Sequence, residues 1–257
     1  MNAARTAEYL APVAARKACR ICVEGSPGRI RSCAEFEFDP EVVSHWEQWL
    51  GHQSPKILAV GQDFGNVAYV VRHKGRDEPG NHTNANLQRC LAAAGISVGN
   101  PPECDATAPV FMTNSILCLK EGRMDAPILG SWVRSCTKAH LVPLLRYLKP
   151  PVVVGMGSRG WQAVRQAFAL GDAPQPISEA VGCGWLAADG TRVFAVGHCG
   201  PLGLTNRPLA QQLADWCRIG EAIALAQQQP TRLTAAARTG YVTGVRGDLS
   251  RPACAPR

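Results

Sequence analysis

Four short apolar runs, rich in β-branched residues, constrain this chain more than any other feature. They lie at 56–60 (Lys-Ile-Leu-Ala-Val), 110–113 (Val-Phe-Met-Thr), 152–154 (Val-Val-Val) and 193–196 (Val-Phe-Ala-Val). Runs of this length bounded by turn residues read as buried strands. Between them lie stretches of helical spacing. The longest, 127–147, aligns Ile128, Trp132, Val133, Cys136, Leu141 and Leu145, and Lys149-Pro150-Pro151 stops it. Further helices are predicted within 1–16, around 40–50, over 84–94, after Ser158 as its cap, and over 207–228. A hairpin is predicted around 182–190. Alternation of strand and helix predicts an α/β fold, a three-layer sandwich whose central, mainly parallel sheet has four strands.

A sheet of this kind restricts where chemistry can take place. Its ligands bind outside the carboxyl ends of the strands. Three of the runs end there in polar signatures: Gly61-Gln62-Asp63-Phe64-Gly65, Thr113-Asn114-Ser115, and Gly197-His198-Cys199-Gly200-Pro201-Leu202. Asp63, Asn114 and His198 are therefore expected to meet in one crevice. A carboxylate, a carboxamide and an imidazole together point to polar recognition with acid–base or electrostatic catalysis. Ser158, Arg159 and Arg207, near strand ends or helix starts, are candidates to hold phosphates. The glycines complete neither a P-loop nor a dinucleotide fingerprint.

The 257 residues suit one domain, placed at 1–229, followed by a basic segment, 230–257. That segment holds five arginines and one aspartate, so it carries +4 of the net charge of +7. Such a tail attracts phosphates without reading sequence, and its lack of apolar periodicity predicts disorder. No apolar stretch approaches the roughly 18 residues that a membrane span needs. Without the pattern of a secretion signal, a cytoplasmic monomer with no membrane partner is expected. The eleven cysteines are an odd number, which argues against a complete disulfide framework and for a metal or cluster site.

The strand-end signatures resemble the uracil-DNA glycosylase superfamily. Gly61-Gln62-Asp63 is similar to a first motif that continues in other members with Pro-Tyr, here replaced by Phe64-Gly65. Gly197-His198-Cys199-Gly200-Pro201-Leu202 resembles the second motif, His-Pro-Ser-Pro-Leu, and Thr113-Asn114-Ser115 falls where the family places its base-reading asparagine. Gly65 and the cysteines are closer to the iron–sulfur branch. That branch uses a Cys-x-x-Cys pair near the N-terminus, a cysteine after the asparagine strand and one in the next helix. The matching residues are Cys19, Cys22, Cys118 and Cys136, over a resemblance that covers roughly 19–223.

The resemblance implies a monofunctional enzyme of base excision repair that flips uracil out of DNA and hydrolyses its N-glycosidic bond. Asp63 would orient water and offset cationic character on the sugar, and His198 would stabilise the departing base. Asn114 would read the base, and Gln62, beside Asp63, would offer its backbone amide to the base. Phe64 would stack on the base, with Tyr69 as the alternative platform. Gly65 would leave room for some 5-substituents, and Leu202 would fill the vacated stack. The four cysteines would hold a structural [4Fe–4S] cluster. Zinc also accepts four thiolates, and Cys33 and Cys104 are rival ligands. Three other readings stay open: a glycosylase for another damaged or 5-modified base, a non-catalytic binder of damaged DNA, and a small-molecule nucleotide enzyme.

Overall fold

The structure, a computed structural model, describes residues 7–36, 54–75, 77, 78, 80–100, 103, 104 and 108–228. The helix predicted at 40–50 and the segment 230–257 lie outside the described residues. The chain opens with α1 (Ala7–Ala18) and α2 (Ile21–Gly25), and then β1 (Ile30–Ser32). β2 (Ile57–Gly61) precedes α3 (Val67–Arg72) and α4 (His82–Ala93). A small ribbon, β3 (Gly99–Asn100) with β4 (Glu103–Cys104), leads to β5 (Val110–Asn114) and β6 (Cys118–Lys120). After α5 (Gly130–Cys136), a π-helical turn (Thr137–Leu141) and α6 (Val142–Leu148) come β7 (Val152–Met156) and α7 (Gly157–Ala167). The chain continues through α8 (Ile177–Ala180), β8 (Gly184–Leu186), β9 (Arg192–Val196), α9 (Pro201–Asn206) and α10 (Leu209–Gln228).

The fold is mixed α/β around a mainly parallel sheet flanked by helices. The strand order is β5-β2-β7-β9-β8. β5, β2, β7 and β9 run parallel, and β8 joins β9 antiparallel, so the sheet has five strands and not the expected four. β8 has no apolar run to announce it. Its Gly-Trp-Leu is half exposed, and it is held by its register with β9 and by Trp185 stacking on Trp161, ring centroids 4.8 Å apart.

β2 shows why the sheet is covered on both faces. Leu58 and Val60 pack with Trp132, Val133, Trp161 and Val164. Ile57 and Ala59 pack with Leu87, Leu91, Trp216 and Ile219 on the other face. Successive side chains of a strand alternate between faces, so a continuous apolar run requires two layers of helix. Each fully buried leucine or valine contributes roughly 1.5–3 kcal/mol over an exposed one.

Local details depart from the predicted boundaries. The helical stretch 127–147 is interrupted by the π-helical turn and ends on Lys149 in the left-handed conformation, φ +46°. α7 starts at Gly157 with no side-chain cap, so Ser158 lies within its first turn and does not cap it. The last predicted helix, 207–228, starts two residues later as α10, and the short α9 before it was not predicted. Among the described residues no helix is long and apolar enough to cross a membrane.

Candidate active site

Register places the three signatures together. Gly61 pairs with Asn114 across β2 and β5, so Gln62-Asp63 leaves the sheet beside that asparagine. Met156 pairs with Val196, two residues before His198. Asp63, Asn114 and His198 line one cavity of about 410 Å³, with Gln62, Phe64 and Gly65 in its wall. That volume is within the range of small-molecule sites. Gln62, Met156 and His198 are shared with a groove of about 1170 Å³, lined also by Ser158, Leu202 and Arg207. The cavity therefore opens into a larger surface channel.

Asn114 is 3% exposed, and its Nδ2 has no hydrogen-bond partner among the described residues. A buried amide N–H without a partner is costly, and such groups are rare. Asn114 lies in the cavity wall, where this donor can serve a ligand acceptor.

His198 is held on several sides. Its Nδ1 accepts the Gly200 N–H at 3.0 Å, so the neutral ring carries its proton on Nε2. Its carbonyl accepts from Gln212 Nε2 at 3.2 Å. A Cβ on Gly203 would collide with that carbonyl, so α9 can close on the loop only with glycine there. Burial pushes the imidazole below its ordinary pKa, and the nearby Asp63 carboxylate opposes that shift without reversing it. The ring is thus a neutral Nε2–H donor.

Asp63 is more constrained than the sequence suggests. Its Oδ1 accepts the Gly65 N–H at 2.7 Å, and its Oδ2 accepts from Gln62 Nε2 at 3.1 Å. Lys120 Nζ donates to the same Oδ2 at 3.0 Å, with the lysine side chain 3% exposed. A carboxylate has about four acceptor positions, so three donors leave about one for water. Lys120 is the site residue that sequence reasoning missed. A lysine in Cys-Leu-Lys-Glu reads as a solvated loop; the β1–β6 ribbon, which pairs Ile30 with Lys120, turns it inward.

Around Gly65 the two aromatic candidates divide. Phe64 lines the cavity and also packs against Cys33, Val70 and Leu119. Tyr69 lines it too, with its hydroxyl donating to Asp77 Oδ1 at 2.9 Å. Burial pushes the Tyr69 phenol up to about 12. Gly65 has φ +102°, a conformation that suits glycine. A Cβ there would meet Tyr69 Cδ1 at 3.4 Å and the Met124 thioether at 3.5 Å. The room that glycine was expected to leave is bounded by these two side chains.

The expected DNA contacts separate. Leu202, in the first turn of α9, is 77% exposed at the groove. Ser158 also lines the groove, whereas Arg159 bonds Gln162 of its own helix at 2.8 Å. Arg207 lines the groove, but its guanidinium grips the buried Asp215 through two bonds of 2.5 and 2.7 Å. Arg218 shares that carboxylate, so the cluster has an excess positive charge.

Cys19, Cys22, Cys118 and Cys136 come from four separate places, the α1–α2 turn, α2, β6 and α5, and lie within electrostatic reach of one another. Burial, and then the neighbouring thiols, push Cys118 up to about 12, and burial raises Cys136 and Cys22 as well. Among the described residues no group of three or more metal-binding side chains is close enough to hold an ion. Four cysteine thiols are the donor set that an iron–sulfur cluster takes, and structural zinc takes the same set. Cys33 packs instead with Val70 and Leu119, and the Cys104 side chain lies outside those described.

Comparison with known protein families finds no match, and no curated protein matches the chain.

Proposed function

We propose that this chain is a uracil-DNA glycosylase, of the superfamily that its strand-end motifs resemble. The observation that carries the reading is the meeting of Asp63, Asn114 and His198 at one cavity, with the asparagine donor unpartnered inside it. Uracil offers O4 as acceptor and N3–H as donor. Asn114 answers both, with Nδ2 donating to O4 and Oδ1 accepting from N3–H. Cytosine reverses the pair and leaves two buried polar groups unmatched, which is the strong kind of discrimination.

Hydrolysis breaks the C1′–N1 bond and forms a C1′–O bond to water. The bonding pair leaves with the base, and the developing charge on O2 meets the His198 Nε2–H. The open acceptor position of Asp63 holds the attacking water and takes its proton, and the carboxylate offsets positive charge on the sugar. A nucleotide must first leave the stack, at a cost of a few kcal/mol. The exposed Leu202 is suited to occupy the space, and Arg207, which lines the groove beside it, belongs to a cluster with excess positive charge for phosphates.

Cys19, Cys22, Cys118 and Cys136 would hold a [4Fe–4S] cluster. When bound, it supplies a covalent tie between the N-terminal helices, β6 and α5, and no redox step is required of it. The deciding experiment incubates a uracil-containing oligonucleotide with the protein and then applies alkali. Wild type yields strand breaks at uracil, and Asp63→Asn and His198→Ala bind DNA but yield none. An inactive wild type that still binds damaged DNA would replace this reading with that of a binder.

A further inference from the structure

Hydrolysis leaves Lys120 without a role. Asp63 is already oriented by Gly65 and Gln62, and a buried ion pair is frequently no more stabilising than an apolar pair of the same volume. Yet this amine lines the cavity, nearly inaccessible to bulk water, 3.0 Å from Asp63 Oδ2. Among the described residues Asp63 is its one hydrogen-bond partner, which leaves two of the three ammonium donors open.

We propose that Lys120 gives this site a second activity, cleavage of the DNA strand at the abasic product by β-elimination through an imine. The proposal rests on the glycosylase reading for its substrate. Loss of the base leaves a hemiacetal at C1′ that opens to an aldehyde. Lys120 Nζ passes a proton to Asp63 and attacks C1′, forming a C–N bond. Asp63 returns the proton to the carbinolamine oxygen, water departs, and a protonated imine remains. Asp63 then removes a proton from C2′. The C–H electrons form the C2′–C3′ double bond, the C3′–O bond breaks, and the downstream strand leaves with a 5′-phosphate. Water hydrolyses the imine to an unsaturated aldehyde and frees Lys120. No oxidant or further reactant is needed. A desolvated lysine amine beside a proton carrier is the established arrangement for imine chemistry.

The test uses the full-length protein with two labelled oligonucleotides, one containing uracil and one carrying a preformed abasic site, each with and without sodium borohydride and never with alkali. Wild type is expected to nick both strands and, with borohydride, to give a covalent adduct whose peptide map places the sugar on Lys120. Lys120→Arg keeps a cation beside Asp63 without the nucleophile, and both adduct and nicking should fall to background. No adduct with wild type on abasic DNA, an adduct mapped to another amine, or an undiminished adduct with Lys120→Arg overturns the proposal. Mapping on wild type does not depend on the variant folding. Uracil release without an adduct refutes the lyase alone, and an adduct on abasic DNA without uracil release refutes the glycosylase reading alone.

Discussion

Asn114→Ala separates base reading from structural support, because the two roles predict opposite signatures. In the free protein the Asn114 Nδ2 is buried and unpartnered. Its removal relieves a desolvation penalty of about 1–3 kcal/mol. Truncation also loses packing, and a cavity of a few atoms costs a similar amount. The two offset, so the melting temperature should move by less than about 4 °C, the equivalent of roughly 1 kcal/mol in a domain of this size. Catalysis should respond very differently. The base keeps O4 and N3–H, and both are now buried without partners, at about 1–3 kcal/mol each. A total of about 2–6 kcal/mol lowers kcat/KM by roughly 30-fold to 10⁴-fold. Single-turnover uracil release from a single-stranded oligonucleotide and a thermal melt of the same sample measure both. Release within threefold of wild type refutes base reading. A melting temperature lowered by more than twice the stated limit, with activity falling only as the folded fraction falls, identifies Asn114 as a structural tie.

Four further outcomes follow from the geometry. Leu202→Ala should leave the melting temperature within about 2 °C, since the side chain is 77% exposed, while lowering uracil release from duplex DNA by roughly tenfold and more than from single strands. His198 has its pKa lowered by burial, so the unfolded chain binds the proton first as pH falls. Its stabilising contribution is complete above about pH 6.5 and is lost as pH falls below that value toward the depressed pKa. Urea midpoints at pH 5 and 7 should therefore differ more for wild type than for His198→Gln, and equal differences would refute the assignment. Cys118→Ser, purified without oxygen, should lack the brown colour of wild type and have an N-terminal segment cut faster by protease; a colourless wild type containing zinc would exclude iron and sulfur. Met124→Ala should open the space above Gly65 and raise the rate on 5-hydroxymethyluracil relative to uracil, and an unchanged ratio assigns that boundary to Tyr69 alone.

Much of the frame was legible in the chain because strand signals are local. The runs at 56–60, 110–113, 152–154 and 193–196 became β2, β5, β7 and β9 with ends shifted by a residue or two. Parallel topology then placed Asp63, Asn114 and His198 on one sheet edge without any knowledge of contacts. The hairpin predicted around 182–190 falls on β8, but its place as a fifth strand of the sheet was not legible, since Gly-Trp-Leu has neither alternation nor an apolar run and is set by pairing with β9. Neither was α9, whose six residues carry too little apolar periodicity to signal a helix.

By itself the sequence determined the layered α/β architecture and which polar residues stand at strand ends, because hydrophobic period and turn chemistry are written within a few neighbouring positions. Tertiary structure alone decided the condition of those residues. Lys120 reaches Asp63 across 57 positions, Met124 and Tyr69 bound the space at Gly65, and Asp215 restrains Arg207. Those facts depend on how elements pack after folding, and a charge or an amide acquires its chemistry from the burial and the partners that packing imposes.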